Sequence, residues 1–472
     1  MVDHSFQGMK VALVRCADRS SGETNVTGCY PPLGLAYLGA VLRDAGHDPT
    51  IIDAKVLALS NAEIASALPR DTQVIGITAT TLGWPAARDT AEHARAAFPD
   101  ALLVLGGPHV TAFPKVSLEA SAFDIGVLGD GEDTLVELCR RHSEAVPLND
   151  LPGCVVRDGS TVRLTDAVQW IDEIDRIPFP ALDLLPMDRY RCVMVEHPFA
   201  SMITSRGCPY RCDFCSQVYS GSTLRSRSAE NIVDEMAALV ENHEAKEVLL
   251  FDETFGARRS VALRVCELIR ERGLRMRWNA RTRIDVVDRE LLEAMRDAGC
   301  YAIHLGIESG TQRVLEMMNK RITLDAIRRA VALAREVGFQ THAYFMIGYP
   351  GETRDEIEST LRFSRNLGLD WASYTITIPN PHTPLCERAE RDGHLPVGYW
   401  ESYTRGEQSG DPVFFTSDEC SAAYLRRAKR RAYFRFYMRP GTLLRNTTFF
   451  LRRGGFGRII YAAGLWLREA HR

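Results

Sequence analysis

The sequence lacks the features that would place the protein in a membrane or outside the cell. No segment reaches the about 18 consecutive apolar residues that a membrane-spanning helix needs. The first ten residues, MVDHSFQGMK, include an acid and no apolar run typical of a secretory signal. The composition is that of a globular protein, with 45% hydrophobic residues, 25% charged residues and a net charge of −4. We therefore expect a cytoplasmic protein, and its 472 residues predict two or three domains.

The sequence also lacks a cysteine framework for disulfides. Most of its twelve cysteines are isolated in apolar surroundings, where cysteine behaves as a small core residue. Only Cys208, Cys212 and Cys215 cluster, and such a trio in a chain without secretory features indicates metal binding before disulfide formation. Cys16 and Cys29 flank the first predicted loop, which leaves a redox role open for them.

Strand-like and helix-like patterns alternate over residues 1–145. Apolar runs of strand length occur at KVALVR, DPTIID, QVIGITAT, ALLVLGG and FDIGVLG. This alternation predicts a parallel sheet covered on both faces, and five strands favour the flavodoxin-like doubly wound (Rossmann-like) α/β order, in which ligands bind beyond the C-terminal ends of the strands. No G-x-G-x-x-G follows the first strand, which argues against a dinucleotide site.

Residues 146–200 are predicted to form a linker, because the three prolines of IPFPALDLLP favour an extended segment. The alternation then restarts, with strand candidates at SMITS, EVLLFD, RWNARTR, AIHLGIES, THAYFMIG and ASYTITIP. Six βα units predict a partial TIM-like (β/α)6 barrel over residues 201–385, with its chemistry at the C-terminal ends of the strands. Residues 386–472 are predicted to form a helical, basic region.

Charge is divided unevenly along the chain. Residues 425–472 hold 13 Lys and Arg against one acid, a balance of +12, so with a total of −4 the other 424 residues carry −16. This tail interleaves arginine with aromatic residues, as in AYLRRAKRRAYFRFYMRPGTLLRN. Three interpretations stay open: contact with nucleic acid, docking on an anionic membrane surface, and a helical cap whose aromatic side chains pack on the barrel.

The strongest signal is the segment RGCPYRCDFCS at residues 206–216, just after the first predicted strand of the second domain. Its cysteines have the spacing Cys-x-x-x-Cys-x-x-Cys, and thiolates are soft ligands suited to iron–sulfur clusters. Three thiolates on three irons of a cubane leave the fourth iron open to a small molecule. Zinc is the alternative, but structural zinc takes four ligands, and no histidine, His197 included, falls at finger spacing.

This segment resembles the motif that defines the radical S-adenosylmethionine (SAM) superfamily, with Phe214 as the aromatic residue before the last cysteine. Three later segments resemble the superfamily's further motifs in order: LLFDETF, HLGIESG followed by Asn319 and Lys320, and FMIGYPGET. The resemblance implies a [4Fe–4S] cluster on the three cysteines, with the amino and carboxylate groups of SAM on the open iron. One electron then splits SAM into methionine and a 5′-deoxyadenosyl radical, which takes hydrogen from an unactivated carbon.

The resemblance also implies a set of SAM-contacting residues near the strand ends, each of which has an ordinary polar or backbone role as its alternative. They are Asp252 and Glu253 for the methionine amino group, Glu308 and Ser309 for the ribose or carboxylate, Arg281 or Arg283 for the carboxylate, and Gly348 beside SAM.

The first domain resembles the cobalamin-binding domains that are fused to radical SAM barrels. The resemblance is carried by YPPLGLAYLGAVLRDAGH, TATTLGW, LGGPHVTAFP and LGDGEDTLVEL, all of which follow predicted strands. Glycine-rich turns at one sheet edge let the backbone approach a bulky planar ligand. The implied cobalamin-binding residues are Tyr30, Pro31, Leu33, Gly34, Thr80, Gly106, Gly107, His109, Gly129, Gly131 and Glu132.

The Asp-x-His-x-x-Gly motif, whose histidine ligates cobalt in the best-known cobalamin proteins, is absent, because His47 and His109 lack the flanking residues. Its absence is common in the radical SAM branch, where cobalamin is held base-off without that histidine. The alternative is a degenerate Rossmann-like module without a cofactor. Methylthiotransferases are related, but they carry three more cluster cysteines in a different N-terminal domain.

Together the resemblances imply a cobalamin-dependent radical SAM methyltransferase that methylates an unactivated carbon of a small-molecule or lipid-like substrate and consumes two SAM molecules per methyl group. An electron donor such as flavodoxin or ferredoxin is expected, nucleic acid is not, and membrane contact through the tail stays open. Cyclisation or rearrangement with the same cofactors is one alternative, because the anaerobic cyclase of bacteriochlorophyll synthesis shares this architecture. A cobalamin-binding regulator or scaffold with an inactive cluster is a hypothesis of another class.

Overall fold

The computed structural model describes residues 8–17, 29–166, 168–218, 221–408 and 419–454. The strands are β1 (Lys10–Arg15), β2 (Asp48–Asp53), β3 (Val74–Thr78), β4 (Leu102–Gly106), β5 (Ile125–Val127), β6 (Cys154–Asp158), β7 (Thr161–Leu164), β8 (Phe199–Met202), β9 (Ser205–Arg206), β10 (Arg225–Ser226), β11 (Glu247–Leu250), β12 (Arg277–Thr282), β13 (Cys300–Glu308), β14 (Gln340–Ile347) and β15 (Trp371–Ile376).

The α-helices are α1 (Leu33–Asp44), α2 (Ala54–Leu57), α3 (Asn61–Ala67), α4 (Trp84–Ala97), α5 (Pro108–Ala112), α6 (Pro114–Glu119), α7 (Glu132–Ser143), α8 (Ala229–His243), α9 (Arg259–Glu271), α10 (Arg289–Asp297), α11 (Gln312–Met317), α12 (Leu324–Val337), α13 (Arg354–Asn366), α14 (Pro384–Arg391), α15 (Tyr399–Arg405), α16 (Ala422–Tyr437) and α17 (Pro440–Gly454). Short 3₁₀ turns cover Ile174–Arg176, Leu182–Leu184 and Met187–Arg189.

The first sheet has the order β2-β1-β3-β4-β5-β6-β7, and β1 to β5 are parallel. The side chains of β1 alternate between two cores: Val11 and Leu13 pack with α1 and α7, whereas Ala12 and Val14 pack with α3 and α4. The sheet is therefore covered on both faces, and the predicted doubly wound order is confirmed for β1 to β5.

The segment 146–200, predicted as a linker, contains a β-hairpin that the sequence analysis missed. Strand β6 pairs antiparallel with β5, with Val156 opposite Ile125, and β7 pairs antiparallel with β6. The hairpin turns at Gly159, whose φ of 59° suits glycine. The proline-rich part lies against α1, where the Ala181 amide donates to the Ala36 carbonyl at 3.0 Å. The hairpin was missed because its short strands are only half apolar, as expected at a sheet edge.

The second sheet has the order β8-β11-β12-β13-β14-β15, with every neighbouring pair parallel. On β13, Ile303, Leu305 and Ile307 are buried in the layer shared with the surrounding helices, and the alternate positions His304 and Gly306 keep some accessible surface. The sheet curves into the partial barrel that the sequence predicts.

The C-terminal helices cover both sheets. In the first domain, Trp84 on α4 donates its indole N–H to the carbonyl of Thr404 on α15 at 2.8 Å. Helix α16 lies on β15, the last strand of the barrel, where the hydroxyls of Tyr433 and Tyr437 bond to the backbone of Tyr374 and Ala372. The tail therefore acts as a helical cap of a strand edge, one of the three open interpretations. No helix within the described residues is long and apolar enough to cross a membrane.

Candidate active site between the two sheets

The three clustered cysteines lie in the loop that follows β9, and all three are free thiols. The Cys212 sulfur accepts a hydrogen bond from Arg283 Nη1 at 3.5 Å, and the Cys208 sulfur lies 3.9 Å from Thr254 Oγ1. Desolvation raises the pKa of the Cys215 thiol, and the negative charges of Glu253, Cys212 and Cys208 raise it further. The three cysteines therefore lie in one loop that is in contact with Thr254 and Arg283.

The surroundings of these thiols fit an iron–sulfur cluster better than a single ion. Within the described parts of the chain, no three His, Cys, Asp or Glu side chains are arranged to hold one metal ion. A cubane takes each thiolate on a different iron, so its ligands need not meet at one point. The positive charges of Arg283 and Lys320 lower the pKa of Cys208 and Cys215 respectively, although desolvation raises both pKa values overall.

The cysteine loop is held in place from the barrel side. Asn319 Nδ2 donates to the Arg211 carbonyl at 2.7 Å, and the Asp213 amide donates to the Met318 carbonyl at 3.0 Å. The Asp213 carboxylate also pairs with Arg388 on α14 at 3.0 Å. The sequence analysis noted Asn319 but missed Asp213 and Arg388, because their link spans 175 residues.

Glu308 and Lys320 form a buried ion pair beside this loop. Their side chains are 10% and 6% exposed, and Lys320 Nζ lies 2.8 Å from Glu308 Oε1. Glu308 has a φ of 71°, a conformation that costs a non-glycine residue energy and is often found at functional sites. Lys320 also lies 5.8 Å from the ring centre of Phe214, between two of the cysteines. Glu253 is exposed next to Cys208 and Cys215.

Asp252 and Ser309 make their contacts within the protein, and their contact with SAM stays a prediction. Asp252 is fully buried, and its carboxylate accepts hydrogen bonds from the amide and hydroxyl of Thr204 and from the Ser205 hydroxyl. The Ser309 hydroxyl is equally enclosed, with the Thr360 hydroxyl at 3.2 Å. Both side chains hold the backbone of the strand ends, so we assign them positioning roles.

The two candidate arginines, Arg281 in β12 and Arg283 just after it, have different surroundings. Arg283 pairs with Asp285 at 2.9 Å, donates to the Lys320 carbonyl and lies over the Tyr210 ring at 3.7 Å, so it belongs to the cysteine loop. Arg281 lies over the Phe251 ring at 4.4 Å and points into the barrel.

Gly348 is enclosed by protein. Its amide donates to Glu352 Oε2 at 2.7 Å, and a Cβ at this position would lie 2.9 Å from Leu425 of α16. Its φ of 75° also favours glycine. Glycine is therefore required at position 348 by the turn after β14 and by the close approach of α16.

The predicted cobalamin residues gather at the C-terminal edge of the first sheet. The loops there are bonded to each other: the Ala79 amide donates to the Gly106 carbonyl, and the Gly129 amide donates to Thr111 Oγ1. An added Cβ would meet nothing within 4 Å at Gly34 or at Gly106. The remaining members of the set at this edge are exposed Thr80, buried Pro31, half-buried Leu33, and Gly107, Gly129 and Gly131 in the turns.

His109 lies behind this edge, on α5. It is fully buried, stacks on Trp84 with ring centres 4.5 Å apart, and neither ring nitrogen has a hydrogen-bond partner. Burial lowers its pKa to about 3, so the ring is neutral at physiological pH. A buried imidazole with both nitrogens unpartnered fits a neighbouring ligand that supplies polar groups. Together with the open space at Gly34 and Gly106, this edge fits a large planar cofactor.

One of the predicted cobalamin residues, Glu132, takes part in a contact between the two domains. Glu132 pairs with Arg206 at 2.5 Å, and Arg206 immediately precedes the cysteine loop. Asp130 pairs with both Arg206 and Arg225, and all four side chains are 12% exposed or less. The sequence analysis assigned Glu132 to cobalamin and missed the other three, since such pairing across 74 residues has no local signal.

Tyr30 also faces the barrel. Its ring packs edge-on against Phe251 at 5.0 Å and Phe199 at 6.2 Å, and its hydroxyl lies 3.3 Å from the Cys192 sulfur. The loop before α1 therefore packs against the first residue of β8 and against the residue that follows β11.

Comparison with known proteins decides the family. The B12 binding domain model matches residues 23–139, and the Radical SAM superfamily model matches residues 202–364. An uncharacterised methyltransferase of Pyrococcus horikoshii is 35% identical over 445 residues, which cover 93% of this chain and 94% of the relative. The chain belongs to the cobalamin-binding radical SAM enzymes.

Two further comparisons fit this cobalamin-binding radical SAM enzyme. The anaerobic magnesium-protoporphyrin IX monomethyl ester cyclase of Cereibacter sphaeroides is 33% identical over 376 residues, 77% of this chain and 61% of the cyclase. The solved structure of the radical SAM methyltransferase TsrM of Kitasatospora setae, with tryptophan and a SAM analogue bound, matches with a TM-score of 0.68 at 20% identity, over 81% of this chain and 76% of that one. At this identity the likeness shows the fold, and it confirms the predicted pair of domains.

The predicted cofactors of the cobalamin-binding radical SAM enzyme are likewise confirmed by its family: a [4Fe–4S] cluster, SAM and cobalamin. Cys208, Cys212 and Cys215 are the residues that would hold the cluster. The open edge at Gly34 and Gly106 would take the cobalamin.

Proposed function

We propose that this enzyme methylates an unactivated carbon of a small-molecule or lipid-like substrate. The observation that carries the proposal is the buried bridge of Asp130 and Glu132 with Arg206 and Arg225. It ties the loop after β5, at the cobalamin edge, to the residue that starts the cysteine loop. A rigid bridge of this kind supports chemistry in which two cofactors act on one substrate in a cavity with little water.

When bound, the cofactors would supply the radical and the methyl group. One SAM would give methionine and the 5′-deoxyadenosyl group that abstracts hydrogen, and a second would give its methyl group and leave S-adenosylhomocysteine. In the overall reaction, a C–H bond of the substrate is replaced by a C–CH₃ bond. The residues of the chain itself position the reacting groups and enclose them. Asp252 holds the backbone of Thr204 before the cysteine loop, Asn319 holds the backbone of Arg211 within it, and the Glu308–Lys320 ion pair lies beside it. A one-electron donor such as flavodoxin or ferredoxin is part of the proposal.

The test uses anaerobically reconstituted protein, loaded with iron, sulfide and hydroxocobalamin and supplied with reductant and SAM labelled in its methyl group. We expect about four irons, one cobalamin per chain, 5′-deoxyadenosine, S-adenosylhomocysteine and labelled methyl on the bound cobalamin. Deoxyadenosine without S-adenosylhomocysteine or labelled cobalamin would contradict methyl transfer.

Cyclisation or rearrangement with the same cofactors is the second candidate, and the 33% identity with the anaerobic cyclase supports it. The same assay separates the two. A product that gains one labelled methyl group, in a one-to-one ratio with S-adenosylhomocysteine, supports methylation. Deoxyadenosine with a product of unchanged carbon count supports cyclisation.

The surface of the C-terminal helices supports a further part of the proposal, contact with an anionic membrane. Exposed large apolar side chains concentrate there in the described part of the chain: Phe434, Met438, Leu443, Leu444 and Leu451. Exposed cations lie among them, including Arg430, Arg435, Arg439 and Arg445. Apolar anchors among cations are the pattern of a helix that lies in a membrane interface.

Flotation with vesicles tests this contact. We expect the reconstituted enzyme to float with vesicles of phosphatidylcholine and phosphatidylglycerol but not of phosphatidylcholine alone, and Leu444→Ser with Phe434→Ser to reduce the bound fraction several-fold. Val397→Ser is the matched control, because Val397 is 84% exposed outside this surface. Equal flotation of the double variant and the wild type would overturn the proposed membrane contact and leave the enzymatic proposal standing.

A further inference from the structure

A layer of polar side chains crosses the inside of the barrel, and neither the cysteine loop nor the cobalamin edge uses it. The register of the parallel strands places Arg281 of β12 beside His304 of β13, and His304 beside His342 of β14. Tyr344, two residues further along β14, completes the group. Ring centres of the two histidines are 4.9 Å apart, and those of His342 and Tyr344 are 4.8 Å apart.

The hydrogen bonds inside this layer leave one buried donor position unused. His304 Nδ1 lies 3.0 Å from the Tyr344 hydroxyl, and His342 Nε2 lies 2.8 Å from the Ser373 hydroxyl. His342 is 4% exposed, and its Nδ1 is buried without a partner. An unpartnered polar atom at such a depth is costly unless a ligand satisfies it.

Arg281 brings a positive charge into the same layer. Its guanidinium lies over the Phe251 ring, and no carboxylate of the described residues lies within the 4.0 Å of an ion pair. The enclosed arginines Arg206, Arg225 and Arg227 all pair with acids. Arg281 is only half-buried, but its charge is not balanced by an acid among the described residues, and a bound anion would compensate it.

The layer also borders free space. His304 and Tyr344 keep some accessible surface, so both border space inside the barrel. The next residue on the same face of β13 is Gly306, where an added Cβ would lie 2.7 Å from Glu308 Oε1 and 3.0 Å from Lys320 Nζ. The Glu308–Lys320 pair therefore lies beside Gly306, and Arg283, which follows β12, touches Cys212. Along the strands, the layer lies deeper in the barrel than these residues beside the cysteine loop.

From this arrangement we propose that Arg281, His304 and His342 bind an oxyanion of the substrate, a carboxylate or phosphate, inside the barrel. Arg281 supplies the charge, and a neutral His342 donates from Nδ1 while Nε2 accepts from Ser373. The bound oxyanion fixes one end of the substrate and directs the reacting carbon toward the cysteine loop. This inference rests on the proposed radical methylation and narrows its substrates to anionic small molecules. The carboxylate of SAM is the other source of the same chemistry.

Small fluorinated anions test the site in the reconstituted holoenzyme. Binding of trifluoroacetate and fluorophosphate is measured by ¹⁹F line width, with neutral trifluoroacetamide as the reference. We expect both anions to bind and the amide not to bind. Arg281→Gln should weaken anion binding at least tenfold and His342→Gln several-fold. Arg277→Gln is the matched control, because Arg277 is on the same strand with its side chain 43% exposed, and it should change binding less than twofold.

Binding measured with saturating SAM distinguishes a site for the oxyanion of the substrate from a site for the carboxylate of SAM. If the site takes substrate, trifluoroacetate binds equally with and without SAM, and Arg281→Gln leaves the Kd of SAM unchanged. If SAM displaces the anion, or if Arg281→Gln weakens SAM tenfold, the substrate assignment is overturned. Wild type that binds neither anion, or variants that bind as wild type does, would overturn the site itself. Formation of 5′-deoxyadenosine and S-adenosylhomocysteine by the wild-type enzyme is measured alongside, and it separates failure of this site from failure of the methyltransferase proposal.

Discussion

The two sheets of this enzyme are built from the same parallel βα repeat, but they place polar residues differently. In the first sheet, neighbouring residues such as Leu13 and Val14 enter two apolar cores on opposite faces. In the barrel, Leu305 packs outward, and His304 faces an inner surface. An open sheet covered on both faces can bind ligands only at its edge, whereas a closing sheet gains an interior that can hold polar groups.

The largest effect is expected from removing a cysteine of the loop at the barrel end. Cys212→Ser should reduce the iron content of the reconstituted protein and abolish 5′-deoxyadenosine formation, because only two thiolates remain for the cluster. Iron analysis and product chromatography measure the result. Cys29→Ser, at the other sheet, is the control and should retain both. Full iron and activity in Cys212→Ser would remove this thiol from the cluster site.

The next effect concerns the bridge that joins the two sheets. Glu132→Gln leaves the enclosed Arg206 with Asp130, at 3.1 Å, as its remaining partner. We expect a loss of about 3 kcal/mol in the free energy of unfolding, measured by urea denaturation, because breaking a buried ion pair leaves a poorly compensated charge. Glu137→Gln, on the surface of the same helix, should cost no more than about 1 kcal/mol. Equal losses of unfolding free energy in the two variants would show that the buried bridge stabilises the protein no more than a surface ion pair does.

A pH dependence is expected from the buried Glu352 below the end of β14. Burial raises its pKa to about 7, above its ordinary value of 4.5, so the folded state binds more protons than the unfolded state between these values. Stability contributed by this group therefore falls as pH rises from about 4.5 to 7. Glu352→Gln should thus stabilise the protein relative to wild type by about 1–3 kcal/mol at pH 8, and by less at pH 5. Urea denaturation of both proteins at the two pH values measures the difference, and a difference independent of pH would contradict the raised pKa.

The smallest structural effect is expected at the cobalamin edge, from two adjacent glycines. Gly106→Ala meets nothing within 4 Å, so unfolding should change by less than about 0.5 kcal/mol, while the new methyl group weakens binding of hydroxocobalamin. Gly107→Ala should cost about 1–3 kcal/mol, because its φ is 91° and its Cβ would lie 2.6 Å from Thr78 Oγ1. Thermal unfolding and cobalamin titration measure the two properties. Unchanged cobalamin binding in Gly106→Ala would place the cofactor elsewhere.

The elements that the sequence predicts well are those with a strong local signal. The barrel strand β14 was predicted at THAYFMIG and lies at Gln340–Ile347, because its apolar residues recur at strand spacing between glycine turns. The β6–β7 hairpin was missed, because an edge hairpin has few apolar residues. Among the site residues, the hydrogen bonds of Asp252 could not be predicted, since a buried carboxylate takes its partners from wherever the fold offers donors.

By itself, the sequence determined the order of strands and helices and the trio of cysteines, because strand periodicity and motif spacing are properties of short segments. Only the tertiary structure decided what the charged residues do. Glu132 meets Arg206, Asp213 meets Arg388, and Arg281 stays without an acid among the described residues. Charges interact through space and are strengthened by exclusion of water, so their roles depend on which distant segments the fold brings together and how deeply it buries them.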